Sequence, residues 1–236
     1  MKTTPAVAVA LLIAAGLALL GYFVGDGVRN IRSTDRSVSV RGLAEREVTA
    51  DTAQLSIRIE RAGPAPAAIF PALLARQNDV MSFLQQQGIK DEEIETGQWS
   101  TSRTDAQELK ADPSLPRYTV SGAIGVSTHN ISAMDSAYGK INELRIKTGG
   151  AVTEVSITYK FTGIGKLRSE MIAAATQDAR NAAAQFANDS GSRVGSIRNA
   201  SQGVFQILAP GAERDDPESI RKIVRVVTTV DYELRD

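Results

Sequence analysis

The residues of this chain that could support chemistry are few. It contains no cysteine and a single histidine, His129, so thiolate zinc sites, cysteine nucleophiles and Ser-His-Asp chemistry have almost nothing to build on. His129 lies between Thr128 and Asn130, a setting typical of a polar residue at the end of a strand. We therefore expect a non-enzymatic protein with no catalytic residue, no cofactor and no bound metal.

One short motif, TGIGKLR at residues 162–168, faintly resembles a phosphate-binding loop. Its glycines and lysine precede a predicted helix, whose N-terminus could hold an anion. The Walker pattern also requires a glycine five residues before the Gly-Lys pair and a Ser or Thr after it, but Lys160 and Leu167 occupy those positions. A strand-to-helix turn is therefore the better interpretation.

Acidic side chains cluster at Asp91-Glu92-Glu93 and at Asp215-Asp216. Neither cluster has the alternating ligand spacing of an EF-hand loop, and turns commonly carry solvated carboxylates. Lys plus Arg and Asp plus Glu both number 27, so no net charge attracts the chain to nucleic acid. These features predict a solvated surface and no nucleic-acid partner.

The N-terminal segment raises the question of a membrane. Residues 6–24 carry no charge, and about 20 apolar residues are enough for a helix to cross a bilayer. Residues 21–25 are GYFVG, whose aromatic side chains disfavour peptidase cleavage, so we expect an uncleaved signal anchor rather than a removed leader. Charge leaves the orientation open, because a long domain follows the arginines of residues 29–36.

Periodicity indicates the remaining elements. From Thr52 to Phe161 the predicted order is strand, helix, strand, strand, helix, strand, which is the order of a split β-α-β (ferredoxin-like) sandwich. The first strand, near Val38, a long helix over about 166–188 and the last two strands predict a second small α+β subdomain. The predicted fold class is thus α+β with an N-terminal transmembrane helix. The predicted boundaries are a membrane anchor at 1–29, a linker at 30–37 and a domain at 38–236, which comprises a β-α-β-β-α-β unit at 52–162 and a subdomain at 38–50 plus 163–236.

Alanines recur every four residues along the long helix. Ala175, Ala179, Ala183 and Ala187 line one helix face with methyl groups. Such a face lets a helix approach a sheet or another helix closely. Packing within the chain is the favoured interpretation, and a seam between the subunits of a homo-oligomer is the alternative.

Three stretches resemble the SIMPL-domain family, which is also catalogued as a domain of unknown function. They are VSVRGLAEREVTAD, ATQDARNAAAQFANDSGSRVGSIRNASQG and VRVVTTVDYEL. The resemblance extends over most of the chain after residue 37. Where many relatives have Pro-Asp, this chain has Ala50-Asp51, which leaves open how tightly that turn is fixed.

The resemblance implies a bacterial envelope protein, and it assigns no catalytic residue that can be carried over. It implies a single-pass inner-membrane anchor through residues 6–24, with the C-terminal domain in the periplasm or outside the cell. It further implies a homo-oligomer, with a role in envelope or oxidative stress. We expect a self-assembling, non-enzymatic protein; the alternative is a module that binds a ligand or a partner, possible partners including another membrane protein.

Overall fold

The computed structural model describes residues 13–24 and 36–235. Its strands are β1 (Ser37–Thr49), β2 (Thr52–Gly63), β3 (Ile94–Thr96), β4 (Ser100–Arg103), β5 (Tyr118–Thr128), β6 (Val152–Lys160), β7 (Arg193–Gln202), β8 (Gln206–Leu208) and β9 (Arg221–Arg235). Its helices are α1 (13–24), α2 (Pro66–Gln86), α3 (Ala106–Ala111), α4 (Ile131–Gly139), α5 (Ile141–Lys147) and α6 (Ile164–Asp189), with a 3-10 turn at Asp91–Glu93. The predicted α+β class is confirmed.

The predicted transmembrane helix is wrong. Within the described residues, none of the helices combines the length and the apolar character that a membrane span needs. Residues 6–12 of the predicted span and 30–35 of the predicted linker lie outside the described residues. The predicted single-pass location in the inner membrane is corrected accordingly.

The chain divides into two compact units. The terminal unit consists of the described residues up to Ala44, together with Ser169–Phe205 and 226–235. The central unit consists of Glu45–Arg168 and Gln206–Arg225.

The central unit is built on an antiparallel five-stranded sheet. Its strand order is β3-β5-β2-β6, and β4 also pairs with β5. Since β3 and β4 together occupy the place of the second strand, this is the order expected of a split β-α-β unit. Helices α2, α4 and α5 contact the sheet.

Register explains why one face of this sheet is buried. Leu55 of β2 lies opposite Val126 of β5 and Ile157 of β6, so the three side chains form one apolar row. The next row along the sheet, Gly125, Ser56 and Ser156, lies on the other face because side chains alternate along a strand. The sheet is therefore apolar toward the helices and polar on its open face.

The terminal unit contains most of α6 and the parts of β1, β7 and β9 that lie within its bounds. In their sheet the strand order is β1-β9-β7, and β8 pairs with β9. Val38, Ala179, Ala183, Val230 and Tyr232 form its buried cluster. Helix α6 ends where Gly191 takes a left-handed backbone conformation (φ 68°) and the Ser192 N–H donates to the Ala187 carbonyl.

Several predicted elements are subdivided. The single helix predicted over 131–146 breaks at Lys140, whose backbone is not helical, and gives α4 and α5. The strand predicted around Trp99 becomes β3 and β4. The connection over 105–116 contains α3, whose first turn is capped by the Asp105 carboxylate.

Candidate functional site

A groove runs between α6 and β7 within the terminal unit. Its helix wall is formed by Ala173, Thr176, Gln177 and Arg180, its strand wall by Val194, Gly195 and Ile197, and Tyr232 of β9 also lines it. The helix residues are three or four apart or adjacent, so they share one side of α6. The cavity measures about 530 Å³. We refer to it as the α6/β7 groove.

The four alanines predicted as a seam position the helix beside this groove. Ala175, Ala179, Ala183 and Ala187 are buried within the chain, each at most 1% exposed. Under them, a Cβ placed on Gly42 would come within 1.9 Å of the Ala175 carbonyl oxygen. The backbone of α6 thus rests directly on the backbone of β1. The Leu43 N–H also donates to Asp178 Oδ2 at 2.9 Å.

The strand wall is irregular. The antiparallel register of β7 against β9 shifts between Val194 and Ile197, and again between Ile197 and Asn199. Such bulges bend an edge strand and redirect its side chains. Ile197 lies opposite Tyr232 across the ladder, yet its side chain is 54% exposed. The groove therefore has an exposed branched side chain on one wall.

Tyr232 is the unusual residue of the groove. It is only 4% exposed and packs with Ala179 and Ala183, but its hydroxyl makes no hydrogen bond to another part of the described chain. Among the described side chains, the polar atoms that are both fully enclosed and without a hydrogen-bond partner are Arg225 Nε and Thr228 Oγ1. The Tyr232 hydroxyl oxygen is not one of them. Its hydroxyl therefore keeps some access to the groove.

The other polar side chains of the groove differ in whether they already have a hydrogen-bond or ion-pair partner. The Thr176 hydroxyl donates to the Ile172 carbonyl at 2.8 Å, and the Gln177 amide donates to Asn181 Oδ1 at 3.0 Å. The Arg180 guanidinium is exposed and forms no ion pair with a described residue. Among the described residues that line the groove, Arg180 is the only charged one.

The TGIGKLR motif lies at a second cavity, in the central unit. This cavity of about 440 Å³ is lined by Asp51, His129, Thr162, Gly163, Gly165 and Lys166. The Asp51 carboxylate accepts hydrogen bonds from the Thr162 N–H and hydroxyl. Burial raises the pKa of Asp51, but hydrogen bonds from Thr162, Thr52 and Gly163 outweigh it, so the pKa lies below its usual value.

This second cavity lies at a strand-to-helix turn, as the motif predicts, and hydrogen bonds within the turn hold it in place. Its carboxylate is already occupied by the turn's own donors. The Ala50 N–H, which a proline would lack, donates to the Ile220 carbonyl at 2.8 Å. The departure from Pro-Asp at this position therefore adds a backbone hydrogen bond.

The acidic clusters have local structural partners. Asp215 Oδ1 lies 2.7 Å from Nζ of Lys222, whose side chain is completely buried and also donates to the Asp216 carbonyl. Glu93 accepts hydrogen bonds from the Thr128 hydroxyl and the Lys90 N–H, and these two bonds lower its pKa. Within 13–24 and 36–235, no group of three or more His, Cys, Asp or Glu side chains is arranged to hold a metal ion.

Sequence reasoning did not find Tyr232 and Arg180 as a pair. The last strand was predicted only as part of the second subdomain, and Tyr232 was not singled out. A usable signal was present: Tyr232 is the only residue with a hydroxyl-bearing ring among the buried positions 224, 226, 228, 230 and 232 of that strand. Arg180 directly follows one of the seam alanines, and nothing in its spacing indicates a groove.

Comparison with known proteins identifies the family of the chain and leaves its activity open. No curated protein matches the chain. Similar solved structures include an uncharacterized conserved protein from Listeria innocua, with 11% identity over 77% of this chain and 90% of that chain and a TM-score of 0.24. Another is described as a hydrolase from Listeria innocua, with 10% identity over 80% of this chain and 91% of that chain and a TM-score of 0.23. Such low similarity supports no inference about activity. The model of the SIMPL family, described as a protein of unknown function (DUF541), matches residues 38–230. The chain therefore belongs to the SIMPL family.

Proposed function

We propose that this SIMPL-family chain is a non-catalytic binding module and that its ligand site is the α6/β7 groove. The observation that carries the proposal is the Tyr232 hydroxyl, which is attached to a buried ring, lies beside a cavity and has no hydrogen-bond partner in the described chain. This hydroxyl is accessible from the groove, so a ligand atom there can form a hydrogen bond with it. Such a bond replaces one to water and contributes about 0.5–1.5 kcal/mol.

The walls of the groove support the same conclusion. A volume of about 530 Å³ lies within the range of small-molecule sites, roughly 300–1,000 Å³. The lining combines apolar side chains with a few polar groups, which is the usual composition of such sites. Contact between α6 and Gly42 fixes the helix wall, so the groove is formed before a ligand arrives.

The chemistry of the lining favours binding over catalysis. The described residues that line the groove offer one guanidinium and one phenol, but no carboxylate, imidazole or amine for general acid–base catalysis. A turnover assay with ester, phosphate and glycoside substrates is expected to give no rate above the uncatalysed reaction. Turnover that disappears when one acidic residue is changed, with folding intact, would contradict the non-catalytic part of the proposal.

Native mass spectrometry of the full chain tests the binding site. We expect a mass in excess of the polypeptide, which is reduced in Tyr232→Phe because that variant keeps the ring and loses only the hydroxyl. Tyr118→Phe, in the central unit, is the matched control and is expected to retain the excess mass. A ligand held equally by Tyr232→Phe and the wild type would contradict the assignment of the site.

Self-association is a second proposal. The alanine face is filled within the chain, so a subunit interface would have to use another surface. The surface around Phe186 of α6 is the candidate, because this aromatic side chain is 51% exposed and aromatic residues are enriched at interfaces. Light scattering is expected to show an oligomer that Phe186→Ser weakens. A strictly monomeric wild-type particle would overturn this proposal and leave the binding proposal intact.

A further inference from the structure

We infer that the α6/β7 groove recognises a carboxylate carried on a short apolar body. This inference rests on the proposed binding function and adds the chemical class of the ligand. It is argued from the charge, the donor and acceptor inventory and the apolar surface of the groove.

The charge of the lining selects an anion. Arg180 is the only charged lining residue, and it has no ion-pair partner among the described residues. The nearest acid along the helix, Asp178, already accepts the Leu43 N–H; two residues correspond to about 200° of helix rotation, so it faces away from Arg180. A planar guanidinium matches a carboxylate through two parallel hydrogen bonds. One positive charge suits a singly charged carboxylate better than a doubly charged phosphate.

The free hydrogen-bonding groups of the groove are mostly donors. Thr176 donates its hydroxyl hydrogen to Ile172, and Gln177 donates one of its two amide hydrogens to Asn181, both within the helix. The remaining donors are the second Gln177 N–H, the Tyr232 hydroxyl and the several N–H groups of Arg180, and they outnumber the free acceptor groups. A carboxylate, which only accepts hydrogen bonds and is opposite in charge to Arg180, fits this inventory, whereas an ammonium group would have the same charge as the guanidinium.

The remaining lining provides for an apolar body. Ala173, Val194 and Ile197 contribute aliphatic surface, and Ile197 is 54% exposed. Covering that side chain removes apolar surface from water and favours a ligand with a hydrocarbon portion. Two sources share this chemistry: a free carboxylic acid, and the carboxyl-terminal end of an extended peptide lying beside the edge strand β7.

Calorimetric titration of the full chain distinguishes these cases. Octanoate, octylamine and a six-residue peptide ending in valine, with a free or an amidated C-terminus, are the probes. We expect octanoate or the free-acid peptide to bind, with affinity at least tenfold lower in Arg180→Gln and several-fold lower in Tyr232→Phe. Arg61→Gln, an exposed arginine in β2, is the matched control and is expected to bind like the wild type. Binding of octanoate without the peptide identifies a free acid as the source, and binding of the free-acid peptide alone identifies a chain end.

The possible results distinguish a failure of the carboxylate inference from a failure of the proposed binding function. Octylamine binding as tightly as octanoate, or probe affinity unchanged in Arg180→Gln, overturns the carboxylate inference. Failure of octanoate and both peptides to bind overturns it as well. In each case a co-purified ligand lost from Tyr232→Phe would still support the binding module, and its absence would overturn both.

Discussion

Replacement of Gly42 by alanine tests the packing that builds the groove. A Cβ at this position would lie 1.9 Å from the Ala175 carbonyl oxygen and 2.4 Å from the Ala179 nitrogen, against an ordinary contact of 3.4 Å or more. Both atoms belong to the backbone of α6, so no side chain can rotate to make room. The helix must retreat from β1 by more than an ångström, over a full turn.

The expected cost follows from two contributions. Overpacking a close contact costs about 1–3 kcal/mol. Displacing α6 also weakens the bond from the Leu43 N–H to the Asp178 carboxylate, and a hydrogen bond to a charged group contributes about 1.5–3 kcal/mol when buried, less at this exposed site. We expect Gly42→Ala to lower the free energy of unfolding by about 3 kcal/mol, which for a chain of this size is a fall in Tm of about 6–12 °C.

Denaturant unfolding followed by circular dichroism measures this loss. Gly165→Ala is the matched control, because a Cβ at this position of α6 meets no atom within 4 Å. Alanine is favoured over glycine in a helix by about 0.5–1 kcal/mol, so the control is expected to equal or exceed the wild type in stability. A Gly42→Ala protein within 1 kcal/mol of the wild type would refute the close contact between α6 and β1.

Two further predictions concern charged groups of the central unit. The folded-state pKa of Asp51 is lowered, so the stability that this carboxylate contributes is present above the unfolded pKa and is lost as pH falls through the folded pKa. Asp51→Asn is expected to be less stable than the wild type by about 1 kcal/mol at pH 7, and this difference is expected to vanish in strong acid. A difference in denaturant titrations that does not depend on pH would contradict this prediction. Asp215→Ala is expected to lower the free energy of unfolding by about 3 kcal/mol, because it leaves the buried Lys222 ammonium without its carboxylate. Lys222→Met is expected to lower it by less than about 1 kcal/mol, because the carboxylate that remains is 42% exposed to water. Equal unfolding free energies for the two variants would contradict this difference.

Local periodicity was sufficient to predict the central sheet. The alternation of Leu55, Ile57 and Ile59 marks the buried face of β2, and the strand order follows from the sequence of elements. The long helix was predicted over 166–188 and extends from Ile164 to Asp189. Such periodic patterns are set by residues close together in the chain, so they can be recognised in a single sequence.

Other features depend on contacts that local pattern does not contain. The membrane span at 6–24 was predicted from an uncharged run of sufficient length and from the family resemblance, and no helix of the described residues has the length and apolar character of a span. The groove requires the register shift between Val194 and Ile197, which brings an exposed isoleucine beside Tyr232. Arg180 joins them only because α6 packs on Gly42, a residue more than a hundred positions earlier in the chain.

The most direct test of the account is the magnetic resonance of the Tyr232 ring in the full chain. With the Cζ carbon of all five tyrosines labelled and the Tyr232 signal assigned by its loss in Tyr232→Phe, the carboxylate probe that binds in calorimetry, octanoate or the free-acid peptide, is added to saturation. We predict a saturable shift of the Tyr232 resonance, because its hydroxyl gains a hydrogen bond, while the other four tyrosine resonances stay in place. A Tyr232 resonance that does not move while the probe binds elsewhere on the chain would contradict the assignment of the α6/β7 groove as the binding site.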